Sequence, residues 1–510
     1  MSTRARALFA VIVALCVQGA QAETPMSAID WLSDSVAGPR IPPGQNGRSD
    51  VTANALPENI TVAPLGDAVP DAVGLLAPKV SGLPADLWRS STSGDIARRF
   101  RADRVDILPA VQDLLYLLLL AELDPPSDSG PKPVLLLARI DTLLALGALE
   151  QANSLLSHVA DTSPQIFRRA FDISLLLRTE DKSCAALRAT PALTPTFPAR
   201  IFCLARSGDW DAAALTLETA RALGFVSPAE DALLARFLEP DVAQGAKPLT
   251  IAQHPSPLEF RIHEAIGEPM PTTKLPRAFA HADLHANTGW KAQIEAAERL
   301  VKTGAVDPNK LLGLYTERRP AASGGVWDRV GAIQAFEKAL QSGDGAAVSA
   351  ALRPAWRAME SVEIEVAFAQ LFAEKLGKID LPPSERGLAF RIGLLSRGYM
   401  DVAAQADIAS SEKLLANIAR GRPGAAISGN QLEAAIQEGF RTIGIPVRLQ
   451  SLTNEGRLGE AILRAMELFE NGARGDLDEL TDALVFLRSV GLEDIARRAA
   501  LQLLILERRG

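Results

Sequence analysis

Residues Leu204–Leu223 read LARSGDWDAAALTLETARAL. Gly208 interrupts one apolar helical pattern, and Ala213, five places on, lies in the next. Glycine ends a helix in a left-handed conformation at little steric cost, and a small residue early in the following helix lets the two approach closely. The same grammar, glycine, four residues, alanine, recurs at Gly147–Ala152, Gly398–Ala403, Gly456–Ala461 and Gly491–Ala496. Repeated elbows of this kind predict an all-α chain of stacked helical hairpins, an α-solenoid. Aromatic residues are only 5% of the chain, so alanine and leucine carry the apolar load, as closely packed helices require.

The alanines also set a phase. Between Ala152 and Ala213, Thr179–Cys184 (TEDKSC) occupies the same place, with Cys184 in the alanine slot. Near the C-terminus, Ala461 and Ala496 stand 35 residues apart, close to the step of about 34 in a two-helix repeat. In its Gly208, Trp210 and Ala213 turn, and in Leu217 and Ala220 of the second helix, Leu204–Leu223 resembles a tetratricopeptide repeat. Leu143–Val159, Leu452–Leu468 and Ala483–Leu503 are similar, although the proline that ends each unit of that family is mostly missing. The resemblance covers about a third of the chain. It implies a TPR-like right-handed superhelix with a concave binding groove, and it carries over no catalytic residue.

Outside the repeats, composition divides the chain. Arg4 and Arg6, the apolar run Ala7–Val17 and the small residues Ala20 and Ala22 predict a secretory signal peptide over 1–22, cleaved after Ala22. Leu15 before Cys16 does not fit a lipoprotein signal. Cleavage removes two arginines and no acid, which takes the net charge from −8 to −10. An acidic chain without a basic stripe excludes nucleic acid as a partner, and no later apolar run is long enough to cross a bilayer. Residues 23–90 are punctuated by proline and predict an extended arm, in part apolar. Helical patterning then defines an N-terminal half, 91–240, a proline-rich connection, 241–287, and a C-terminal half, 288–510. The expected location is the periplasm or outside the cell, with no stable membrane insertion after signal cleavage.

Few constellations suggest chemistry. Cys184 and Cys203 are the cysteines left after cleavage. The repeat phase puts them at one end of a hairpin, so a disulfide is expected in an oxidising compartment. His281 and His285 are four apart near His263 and could share a helix face, but no HExxH motif or third ligand accompanies them. They read as polar loop residues, with no metal and no cofactor. Tyr315–Arg329 (YTERRPAASGGVWDR) clusters Arg318, Arg319 and Arg329 beside a glycine-opened helix, either an anion site or an inter-helix turn whose arginines pair with Glu317 and Asp328. Glu360 and Glu363 read as a solvated helix face, and no nucleophile or phosphate-loop motif occurs.

The expected function is therefore non-enzymatic: a periplasmic scaffold or adaptor that holds a protein or peptide of the cell envelope in a helical-repeat groove. Arg318, Arg319, Trp210, Trp290 and Trp327 are the candidate partner contacts. Two alternatives stand beside it. One is a peptidoglycan-metabolism protein related to the solenoid lytic transglycosylases, although their Glu-Ser signature is absent. The other is an accessory part of an envelope machine such as the flagellar motor.

Overall fold

In the computed structural model of this chain, the described residues are 69–102, 106–159, 163–193, 196–239, 248–405, 409–422, 424 and 429–506. The expected signal peptide and residues 23–68 of the arm lie outside them. Every regular element among the described residues is helical, and the only β pairing is a single parallel bridge between Leu76 and Ala121.

The helices follow one another with short turns. The first four are α1 (Pro78–Ser81), α2 (Ser93–Phe100), α3 (Pro109–Leu120) and α4 (Val134–Leu146). Then come α5 (Leu149–Ser157), α6 (Pro164–Leu177), α7 (Glu180–Ala189), α8 (Phe197–Arg206), α9 (Trp210–Ala222), α10 (Pro228–Leu238) and α11 (Pro257–Ala265). A 3-10 helix, Arg277–Leu284, leads to α12 (Trp290–Lys302), α13 (Pro308–Glu317), α14 (Val326–Ser342), α15 (Gly345–Glu360) and α16 (Glu365–Leu376). Next are α17 (Pro383–Leu394), α18 (Tyr399–Ala403), α19 (Lys413–Ala419) and α20 (Gln431–Arg441). The last are α21 (Val447–Asn454), α22 (Leu458–Ala473), α23 (Leu477–Ser489) and α24 (Glu493–Ile505).

The elbows behave as their residues dictate. Gly147, Gly208, Gly456 and Gly491 are left-handed, with φ of 79°, 85°, 72° and 87°. Gly398 is not: its φ is −85°, and its N–H is taken by the Ser396 hydroxyl at 3.2 Å. The five elbow alanines, Ala152, Ala213, Ala403, Ala461 and Ala496, are all 0% exposed, so each sits at a helix–helix contact with no room for a larger side chain. At the sixth elbow the left-handed residue is Arg178 (φ 57°), one place before Thr179. An arginine tolerates this conformation here because its guanidinium is held by Glu264 and by Asn287 at 3.2 Å. Relative to the left-handed residue, the buried position of α7 thus moves one place on, to Cys184.

Two apolar cores result, and α6 belongs to both. Its Ile166, Ile173 and Leu176 face a main core, while Phe167, Phe171 and Leu175 face a second core built with α7–α11. Cys184 and Cys203 are disulfide-bonded inside the second core, with Cα atoms 5.0 Å apart. The proline-rich segment expected as a connection is also packed. Pro257 occupies the first turn of α11, where its missing N–H costs nothing, and a Ser256–Glu259 capping box fixes the start. Phe260, Met270, Leu275 and Phe279 from this segment enter the main core beside residues of α4 and α12.

The beginning and end of the described chain meet. α2 packs on α22, and α3 packs on α24. Leading into them, residues 69–91 form a strap held by polar contacts. Asp71 accepts the Leu136 N–H at 2.8 Å, capping α4 from outside the helix, and the Ser129 hydroxyl at 2.9 Å. The buried Arg139 donates to the carbonyls of Val73, Leu119 and Ala121 at 2.6, 2.7 and 3.1 Å. At the strap's far end, the Trp88 ring lies on Gly459 so closely that a Cβ there would stand 2.2 Å from it.

The glycines allow a contrast. Gly147→Ala and Gly208→Ala share the left-handed strain of about 1–2 kcal/mol. A Cβ at 208 meets open space, whereas one at 147 lies 2.8 Å from Leu300 Cδ2. Urea unfolding should therefore show the Gly147 variant to be the less stable of the two. Replacing both Cys184 and Cys203 by serine should cost about 3 kcal/mol, the chain-entropy value for a loop of this length. Thermal or urea midpoints with and without reductant read it directly.

Candidate functional site

The structure places the candidate contacts from sequence in two regions. At the corner formed by α12, α13 and α14, the Trp290 and Trp327 rings pack on each other with centroids 5.0 Å apart. The Trp290 indole donates to the Leu314 carbonyl at 2.8 Å, so both rings are structural plugs at the edge of the main core. Gly324 N–H, one of the amides proposed to meet an anion, is taken by Asp328 at 2.9 Å. Arg329 turns inward and holds Glu298 in two bonds of 2.7 Å, and Tyr315 donates to the same carboxylate at 2.7 Å. Arg318 pairs with Glu317 at 2.8 Å, and it and Arg319 are exposed.

Trp210 is elsewhere. It opens α9, half exposed at 49%, with its ring tilted against Phe237 at 6.1 Å. Around it, α9 buries only Ala213, Leu217 and Ala220. Leu215 (69% exposed) and Leu223 stand in water, and Phe225 stacks on Phe197 at 4.9 Å while still half open. An exposed tryptophan or leucine alone is ordinary; here Trp210, Leu215, Leu223 and Phe225 all lie open on one hairpin.

A cleft that no local sequence signal could reveal lies where four distant segments converge. Asp106, Ile107 and Val111 line it with Lys302, Glu363 and Phe469. Lys302 bridges Glu363 at 2.5 Å and Asp106 at 3.5 Å, and Arg277 reaches Asp106 at 2.8 Å. Burial works against the Asp106 charge, but Arg277 and Lys302 together hold its carboxyl below the ordinary aspartate value. Glu363 is left-handed, φ 58°, in the turn between α15 and α16, so it does not share a helix face with Glu360. With about 60 Å³ of space, the cleft admits a few waters and not a metabolite. Lys302, Glu363, Asp106 and Arg277 pair with one another and clasp these segments together, and Glu470 and Arg474 complete the charged lining.

His281 and His263 are buried parts of the fold and not polar loop residues, whereas His285 is half-buried in extended backbone just after a 3-10 helix. His281 lies in the 3-10 helix Arg277–Leu284, where residues four apart are rotated by about 120° and not the 40° of an α-helix. His281 and His285 therefore do not share a face. His281 donates from Nε2 to the Gly147 carbonyl at 2.6 Å, locking the first elbow. Burial pushes its imidazole down to about 4, partly opposed by that carbonyl and deepened by Lys310. His263, in α11, is likewise buried and lowered by burial. Among the described residues no three His, Cys, Asp or Glu side chains converge as a metal site.

No family model, curated protein or solved structure matches this chain. Among the described residues no helix is long and apolar enough to cross a membrane.

The buried His281 makes stability pH-dependent. Between its ordinary value of 6.5 and about 4, the unfolded chain takes up a proton that the folded chain refuses. Stability is complete above the upper value and is lost as pH falls through this window. Going from about pH 7.5 to about pH 4.5, this one group should remove on the order of 2–3 kcal/mol. Urea unfolding at both pH values should show a larger acid loss for the parent than for His281→Gln, which keeps a donor and cannot titrate.

Proposed function

We propose that the chain is an exported, non-enzymatic scaffold or adaptor of the bacterial cell envelope. It is read as a TPR-like series of helical hairpins that holds a protein or peptide partner on the surface of α8–α10. One observation carries this reading: α9 commits three residues to the core and offers Trp210, Leu215 and Leu223 to solvent from a hairpin pinned by a disulfide. A rigid backbone presenting apolar side chains binds at a low ordering cost. The disulfide supports an oxidising compartment.

A photo-crosslinking residue in place of Leu215 tests the surface in cells. The expected result is one stoichiometric adduct. Capture of that partner by affinity should fall at least about tenfold in Leu215→Glu, the effect of losing one well-buried apolar contact. At 69% exposure Leu215 contributes little to folding, so the thermal midpoint should not move. Capture unaffected by Leu215→Glu, or peptidoglycan turnover by the purified chain, would sink the scaffold reading.

A further inference from the structure

Between α20 and α21 the chain runs Arg441-Thr442-Ile443-Gly444-Ile445-Pro446-Val447-Arg448. Ile443 is 91% and Val447 85% exposed, and Ile445 is also open to solvent. Three branched aliphatic side chains at alternate positions thus project from one loop. The loop is held out from below. Arg488 donates to the carbonyls of Gly439 and Thr442 at 2.9 and 3.2 Å, and its guanidinium lies 5.2 Å from the Phe440 ring centre. The Thr442 hydroxyl bonds Glu438 at 2.8 Å, and Gly444, with φ 118°, makes the bend. A supported apolar tip of this kind is ordered before it meets anything.

The charges behind the tip decide what it fits. Arg448 is matched by Asp482 at 2.9 Å and Glu479 at 3.4 Å. Arg441 donates to the Gly424 carbonyl at 2.7 Å and weakly to Gln437, and Arg488 to the two carbonyls above. Neither has a carboxylate among these acceptors, so both keep their charge for a phosphate. Beyond the two carboxylates that match Arg448, Glu438 also bonds the segment, through Thr442. The acidity of the rest of the chain is screened beyond about 8 Å at physiological salt. A single turn offers less surface than the about 800 Å² that each partner gives to a stable protein interface. A second copy also brings no sheet edge for the loop to join, because no strand occurs among the described residues.

We propose that this loop is a peripheral membrane contact. Ile443, Ile445 and Val447 enter the boundary between headgroups and acyl chains of a phospholipid bilayer, while Arg441 and Arg488 meet its phosphates. The contact goes beyond the scaffold reading and uses a different surface from α9, so either can fail without the other.

Cosedimentation with vesicles tests it, using the chain without residues 1–22 so that the apolar leader cannot contribute. The vesicles are phosphatidylethanolamine with about one-third phosphatidylglycerol, and phosphatidylcholine alone, in about 0.15 M salt. The parent should bind the first more strongly than the second. Ile443→Ser with Val447→Ser should lower the partition coefficient at least about tenfold, and Arg441→Gln a few-fold. Both serine positions are exposed, so an unchanged thermal midpoint certifies the fold. A parent that stays in the supernatant with both vesicles overturns the proposal and leaves the loop as a protein contact. A double variant that binds like the parent overturns it too.

Discussion

The seam between the start and the end of the chain is the constraint on which the rest of the structure depends. Helix pairs that stack only on their neighbours leave a bare apolar face at each end, and something must cover it. Here the two ends cover each other. Trp88 lies flat on Gly459, whose N–H also reaches the Leu87 carbonyl at 3.3 Å. Gln502 accepts the Ala110 N–H at 2.8 Å, supplying the partner that the first turn of α3 lacks. Arg99 reaches Glu460 and Glu467 at 3.3 and 3.4 Å, and Arg498 reaches Asp113 at 2.6 Å. Polar groups set the register along the seam, and the tryptophan supplies the apolar burial.

Much of the local architecture was legible because glycine, alanine and cysteine carry local constraints. A glycine that needs φ near +80° and an alanine with no space around its methyl leave a signature a few residues long. Four of the five elbow glycines and all five alanines carry it in the structure. The disulfide followed from the same phase. Proline carries two readings for a physical reason. In Glu239–Ala286 it reads as a helix breaker, yet at Pro257 it starts a helix, since a first-turn residue needs no N–H donor. Arg178 in a left-handed elbow was hidden because its compensation, Glu264 and Asn287, lies 86 and 109 residues away.

The clasp and the seam were illegible for a different reason. Asp106, Lys302, Glu363 and Phe469 have no relation in sequence, and Trp88 and Gly459 have none either. Such contacts arise only after the helices have closed their circuit. The Tyr315–Arg329 cluster shows the converse. It was visible as dense charge, but Glu298, the residue that absorbs Arg329, belongs to the preceding hairpin. Charge density in sequence locates arginines and leaves open whether they face a ligand or the fold. In this chain Arg329 faces the fold, and Arg318 and Arg319 remain outside.

What then sets the position of the α9 surface relative to the rest? Apolar burial does part of this, because α6 and α11 each send side chains into both cores. A charged network fills the joint. Glu264 binds both Arg178 and Arg261, and Arg261 reaches the buried Glu180 at 2.9 Å, while Arg206 approaches Glu180 and Asp181 at 3.6 and 2.6 Å. Ion pairs of this sort add little net stability once desolvation is counted, but they are directional where apolar contacts are not. Arg178 and Arg261 tie the α6–α7 elbow to α11, and Arg206 ties α8 to the start of α7. The side-chain packing keeps the second core folded, and the arginines determine which way it points, and with it the exposed apolar side chains of α9.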